Sequence, residues 1–123
     1  MNIIDSSGWL EFFADGPNAM FFAPSIIDVK HLIVPAISIY EVFKRVLQQR
    51  SETDALQAVG QMAQGRVIEF NQTLALSAAK LSVDLKLPMA GSMILATARA
   101  YQAILWTQDA DFKAIDGIQY IEK

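Results

Sequence analysis

The chain contains no cysteine and a single histidine among its 123 residues. The first absence excludes disulfides and thiolate zinc sites and agrees with a reducing cytoplasm. The second leaves little support for imidazole catalysis: His31 stands just ahead of an apolar run, away from any candidate nucleophile, and reads as structural. No G-x-G-x-x-G, G-x-x-x-x-G-K or G-x-S-x-G occurs, which removes the common phosphate cradles and the serine nucleophile elbow. Positive charge is also scarce. Ten Lys and Arg against thirteen Asp and Glu give a net charge of −3, no electrostatic footprint for wrapping nucleic acid. Pro24, Pro35 and Glu41 interrupt the apolar stretches well short of the roughly 20 residues a membrane span needs. The opening MNIIDSSGWLEFF lacks the basic segment and small-residue cleavage pattern of a secretion signal. A soluble, cytoplasmic protein without membrane contact is expected.

What is present is apolar material for a core: 53% of the residues are hydrophobic, enough for one packed domain over 1–123. Short apolar runs at Met1–Ile4, His31–Val34, Arg66–Phe70, Ala103–Trp106 and Ile118–Ile121 read as buried strands. Between them lie helical stripes. Trp9, Leu10, Phe12 and Phe13 form the first, and Asn18–Phe22 a short second piece. Ile39, Val42, Phe43, Val46 and Leu47 mark a strongly amphipathic helix over Ile37–Gln49. Leu56, Val59 and Met62 mark the next helix, Leu74, Ala78 and Leu81 one over Thr73–Lys86, and Ile94, Leu95 and Ala98 the last. Strands that read as continuous apolar runs, alternating with helices, predict an α/β fold with a parallel sheet between helical layers.

In such a sheet ligands sit beyond the carboxyl ends of the strands. Asp5 follows the first strand, and Asp109 follows ILWT with Asp111 two residues on. Carboxylates gathered at one edge without basic partners repel one another, and a hard cation such as Mg²⁺ or Mn²⁺ offsets that. Taken singly, Asp5 and Asp109 also serve as helix-cap or turn residues. Glu41 lies beside the apolar stripe of its helix, where Ser38-Ile39-Tyr40-Glu41 also satisfies the S-x-x-E capping box. Asp109-Ala110-Asp111 opens like a calcium loop, but Lys113 occupies the third ligand position and no Glu stands at the twelfth. A phosphoacceptor receiver domain would need an aspartate after the third strand, where this chain has Glu69-Phe70-Asn71.

Asp5, Ser38-x-x-Glu41, LPMAGSMILATA and TQDADF, in this order over the whole length, resemble a PIN domain of the VapC toxin type. The resemblance implies a three-layer α/β/α fold, Mg²⁺- or Mn²⁺-dependent endoribonuclease activity, a cognate VapB-type antitoxin and homodimers. It carries over Asp5, Glu41 and Asp109 as catalytic and metal-holding acids and Asp111 as an accessory metal-holding acid. Ser6 and Thr107 carry over as orienting residues. The family's fourth main acid falls where this chain has Gly91, so a weakened or inactive nuclease is expected. The alternative from another class is a catalytically silent binding module that keeps the antitoxin and dimer interfaces. For RNA contact, Lys44 and Arg45 follow Glu41 within about one turn and are the foremost candidates. For antitoxin docking, the aromatic amino-terminal half, including Phe21 and Phe22, is the expected surface.

Overall fold

The computed structural model describes all 123 residues. Five short strands, β1 (Asn2–Ile4), β2 (Leu32–Pro35), β3 (Arg66–Ile68), β4 (Ile104–Thr107) and β5 (Ile118–Tyr120), pair in parallel in the order β3-β2-β1-β4-β5. Six helices cover the sheet: α1 (Ser6–Phe13), α2 (Ala19–Ile27), α3 (Ala36–Gln49), α4 (Glu52–Met62), α5 (Gln72–Leu85) and α6 (Met89–Ala100). The expected α/β/α sandwich with a parallel sheet is therefore the observed fold.

Alternation along each strand sorts the core into two layers, because successive side chains leave a strand on opposite faces. Ile3, Ile33 and Leu105 pack with Leu74 and Ala78 of α5 and Ile94, Leu95 and Ala98 of α6. Ile4, Leu32 and Val34 pack on the other face with Trp9, Phe22, Val42, Val46 and Met62, drawn from α1 to α4. Both faces of the central strands are thus dry, which explains why the strands read as unbroken apolar runs. No helix is long and apolar enough to cross a membrane.

Several local expectations are corrected. The second helical piece does not end at Phe22 but continues to Ile27 through Pro24. Proline inside a helix removes one backbone bond, and burial of Phe22, Ala23, Ser25 and Ile26 offsets that loss. Phe22 is fully buried, so it belongs to the core and not to a docking surface. In α4 the buried face is Ala55, Ala58 and Met62, whereas Leu56 is 56% exposed. The capping box at Ser38–Glu41 does not form: α3 begins at Ala36 behind Pro35, placing Ser38 inside the first turn with its hydroxyl buried and unpartnered. With Pro35 as its N-cap the helix starts three residues ahead of where a Ser38 cap would place it, and Glu41 turns to a different partner, the Ser6 hydroxyl.

Candidate active site

The strand order has one switch point. From β1 the chain winds outward through β2 to β3, then returns to the other flank of β1 as β4 and β5. A crevice opens where neighbouring connections diverge, beyond the carboxyl ends of β1 and β4. Asp5 directly follows β1, and its backbone N–H donates to the Trp106 carbonyl of β4 at 2.9 Å. Thr107 ends β4, and Asp109 follows two residues later.

Asp5 is only 5% exposed. Its Oδ2 accepts from Ser7 Oγ at 2.6 Å and from Thr107 Oγ1 at 3.0 Å. The same Thr107 oxygen accepts from the Asp109 N–H at 2.9 Å, so one buried hydroxyl ties the Asp5 side chain to the Asp109 backbone. Glu41 reaches the cleft from α3, its Oε1 accepting from Ser6 Oγ at 2.6 Å. Asp109 Oδ1 caps the short turn Ala110–Phe112 by accepting from the Asp111 N–H at 2.9 Å. Each acid is therefore anchored through one oxygen, while Asp5 Oδ1, Glu41 Oε2 and Asp109 Oδ2 have no protein donor.

Asp5, Ser6, Glu41, Arg45, Gly91 and Asp109 line one cleft. Burial pushes the Asp5 carboxyl above the ordinary aspartate range, hydrogen bonds from Ser7 and Thr107 pull it down, and the charge of Asp109 pushes it up again. Burial also raises Glu41; the Ser6 hydroxyl opposes this, and Asp5 and Asp109 add to it. No Lys or Arg nitrogen lies within 4.0 Å of any of the three carboxylates. No three of them close into a ready ligand cage. The donor set is all oxygen, mutually repelling and free on one side, which fits a hard divalent cation with part of its shell left to water.

Other expected site residues fall elsewhere. Asp111 is exposed and outside the cleft; it contributes its N–H to Asp109. Lys44 lies 5.6 Å from the centre of the Tyr40 ring and does not line the cleft, whereas Arg45 does. Gly91 sits buried in the first turn of α6 with helical backbone, so no unusual dihedral demands glycine there. A Cβ at this position would stand 3.2 Å from Phe112 Cζ, which asks that ring to give by a few tenths of an ångström. Ser92 is not the cap of α6: its hydroxyl donates back to the Met89 carbonyl. Two site-shaping residues escape a sequence reading. Ser7 is one of two adjacent serines, and only the helix start decides which meets Asp5. Gln108, 7% exposed, donates from Nε2 to the Ser7 carbonyl at 3.4 Å and accepts from Asn18 at 3.0 Å, contacts about 100 and 90 residues away in sequence.

Solved structures share this architecture. A toxin-antitoxin complex from Klebsiella pneumoniae contains a chain 21% identical to this one, with a TM-score of 0.80 over 96% of this chain and 95% of that one. Mycobacterium tuberculosis VapC20, described as a sarcin-ricin loop cleaving toxin, aligns with a TM-score of 0.81 at 15% identity over 97% and 98%. VapBC from Salmonella typhimurium bound to DNA aligns at 0.74 and 14% identity over 99% and 98%. No curated protein matches the chain by sequence at a significant level. The family model described as PIN domain matches residues 3–118, nearly the whole length, and on that match, with the acids gathered at the switch point of a parallel sheet, the chain belongs to the PIN domain family.

Proposed function

We propose that this chain is a VapC-type toxin, a Mg²⁺- or Mn²⁺-dependent endoribonuclease of a type II toxin-antitoxin pair, weakened or silenced by glycine at position 91. The observation that carries the reading is the convergence of Asp5, Glu41 and Asp109 on one cleft with no Lys or Arg nitrogen within 4.0 Å of any of them. Asp5, Glu41 and Asp109 would hold the ion through their free oxygens. When bound, such an ion lowers the pKa of a water and offsets charge developing on a phosphate. The chain's own residues do the rest. Ser7 and Thr107 fix the plane of the Asp5 carboxylate, and Ser6 fixes that of Glu41. Thr107 holds the Asp109 backbone, which keeps the two acids in step. Gly91 lines the same cleft without offering a ligand, at the position where the family resemblance implies a fourth acid.

The test is RNA cleavage with Mn²⁺ before and after Gly91→Asp. A gain of about tenfold or more is expected, since a ligand added to an open carboxylate site contributes at least as much as an outer-shell partner; no gain in a folded variant contradicts the account. The packing of Phe112 against Gly91 favours a second reading, a silent binding module whose interior has adapted to glycine. That module need not take up Mn²⁺, so isothermal titration separates the two. The antitoxin partner belongs to both readings and is supported by the toxin-antitoxin complexes among the structural neighbours. A homodimer has an apolar strip available on α5, where Leu76 and Val83 are 68% and 78% exposed.

A further inference from the structure

Glu41, Arg45 and Gln49 stand four residues apart along α3, so they share one face of that helix. Glu41 and Arg45 line the acid cleft, and Gln49 lines the adjoining groove with Leu10, Phe13 and Val46. At this spacing Arg45 has a carboxylate one turn away, yet no nitrogen of Arg45 comes within 4.0 Å of Glu41 or of any other acid. Its partner is neutral. With the Gln49 amide assigned so that oxygen meets donors, Oε1 accepts from Arg45 Nε and Nη2, each at 3.2 Å. A carboxylate in that place would orient the guanidinium and cancel its charge. An amide orients it and leaves the charge intact, with Nη1 unengaged.

Arg45 is the one cation among the residues lining the cleft, and it is solvent-exposed at the mouth of a site otherwise charged by acids. Three carboxylates repel a polyanion, and a positive group beside them offsets part of that repulsion. Arginine suits that task, because its planar fork matches the oxygens of a phosphodiester and stays charged at any working pH. We infer that Arg45, held in orientation by Gln49, grips a backbone phosphate of single-stranded RNA at the entrance to the acid cleft. Gln49 is then a positioning residue: it touches the guanidinium and not the nucleic acid. The inference rests on the nuclease reading for the choice of RNA, but it concerns binding, which is measured without cleavage.

The experiment uses the full chain and a fluorescein-labelled single-stranded RNA in EDTA, with anisotropy followed over a series of salt concentrations. Arg45→Ala is expected to weaken binding about tenfold at low salt and to reduce the slope of log affinity against log salt by about 0.7, the loss of one phosphate contact on a single strand. Gln49→Leu is expected to weaken binding several-fold while leaving that slope unchanged, because the charge remains and only its aim is lost. A merely structural role for Gln49 would not separate affinity from slope in this way. Lys80→Ala, on α5 and paired with Asp84, serves as the unaffected control. Equal affinity and slope for Arg45→Ala and the parent chain overturn the inference, and so does a parent chain that fails to bind RNA. Binding that depends on Arg45, together with no Mn²⁺-dependent cleavage even in Gly91→Asp, sustains the inference while removing the nuclease reading.

Discussion

Two sets of acids in this molecule are treated in opposite ways. On the surface, Asp84 meets Lys80 at 2.8 Å and Asp28 meets His31 at 3.0 Å, where water would have solvated each acid adequately without help. In the cleft, Asp5 is buried and Glu41 half-buried beside Asp109, and no cationic nitrogen comes within 4.0 Å of any of them. A chain arranged only for stability would pair the buried acids first, since desolvation is costly there and exposed pairs contribute little. Hydroxyls from Ser6, Ser7 and Thr107 orient the cleft acids but do not neutralise them. The proposed ligand-holding role of the cleft acids rests on this contrast.

That contrast can be broken or sharpened by substitution. The largest effect is expected from Asp5→Asn, which keeps an acceptor for Ser7 and Thr107 but removes the charge: Mn²⁺ affinity measured by titration calorimetry should fall by about 100-fold or more. The same variant should be more stable than the parent in chelator at neutral pH, with Tm higher by about 4 °C, because a repelling, desolvated charge has been deleted. Unchanged metal affinity would erase the distinction between cleft and surface. Next in size, Gly91→Asp should tighten Mn²⁺ binding by about tenfold. If Phe112 resists the new side chain, Gly91→Asp combined with Phe112→Leu should recover the gain, since leucine has no atom in place of the ring Cζ that lies 3.2 Å from where the new Cβ would stand.

Acid titration gives a third test. Asp5 and Glu41 are both raised in the folded state, chiefly by burial, so the native protein binds more protons than the unfolded chain between the ordinary carboxylate pKa and the folded one. Their favourable contribution is full below the unfolded values and is gone once pH passes the folded values. In chelator, Tm should therefore fall as pH rises through that window, and Asp5→Asn should flatten the decline. A Tm that instead climbs throughout the window would contradict the assigned direction. The smallest effect belongs to the surface: Lys80→Ala should move Tm by no more than about 1 °C, as expected of an exposed pair on one helix face.

The layered fold was legible because its signals are periodic. Apolar runs at Ile3–Ile4 and Leu32–Val34 serve two core layers at once, and Val42 and Val46 repeat at helical spacing. The acids after β1 and β4 were legible for a related reason, since a parallel sheet sends every strand's carboxyl end to the same edge. Local chemistry proved a poorer guide where a global contact competed with it. Ser38 and Glu41 have the spacing of a capping box, but Pro35 starts the helix first and Ser6 claims the carboxylate. Leu56 fits an apolar stripe, yet the closely packed α3 and α4 bury the smaller Ala55 and Ala58. Gln108 and Ser7 meet only because β1 and β4 are neighbours, which no local pattern announces.

The most direct test of the gathered acids is a crystal of the protein soaked in Mn²⁺ and examined by anomalous scattering. A peak in the cleft, about 2.0–2.3 Å from oxygens of Asp5 and Asp109, with Glu41 beside it directly or through water, is the predicted result. An empty cleft at saturating Mn²⁺, or a peak only at surface acids such as Asp84, would contradict it.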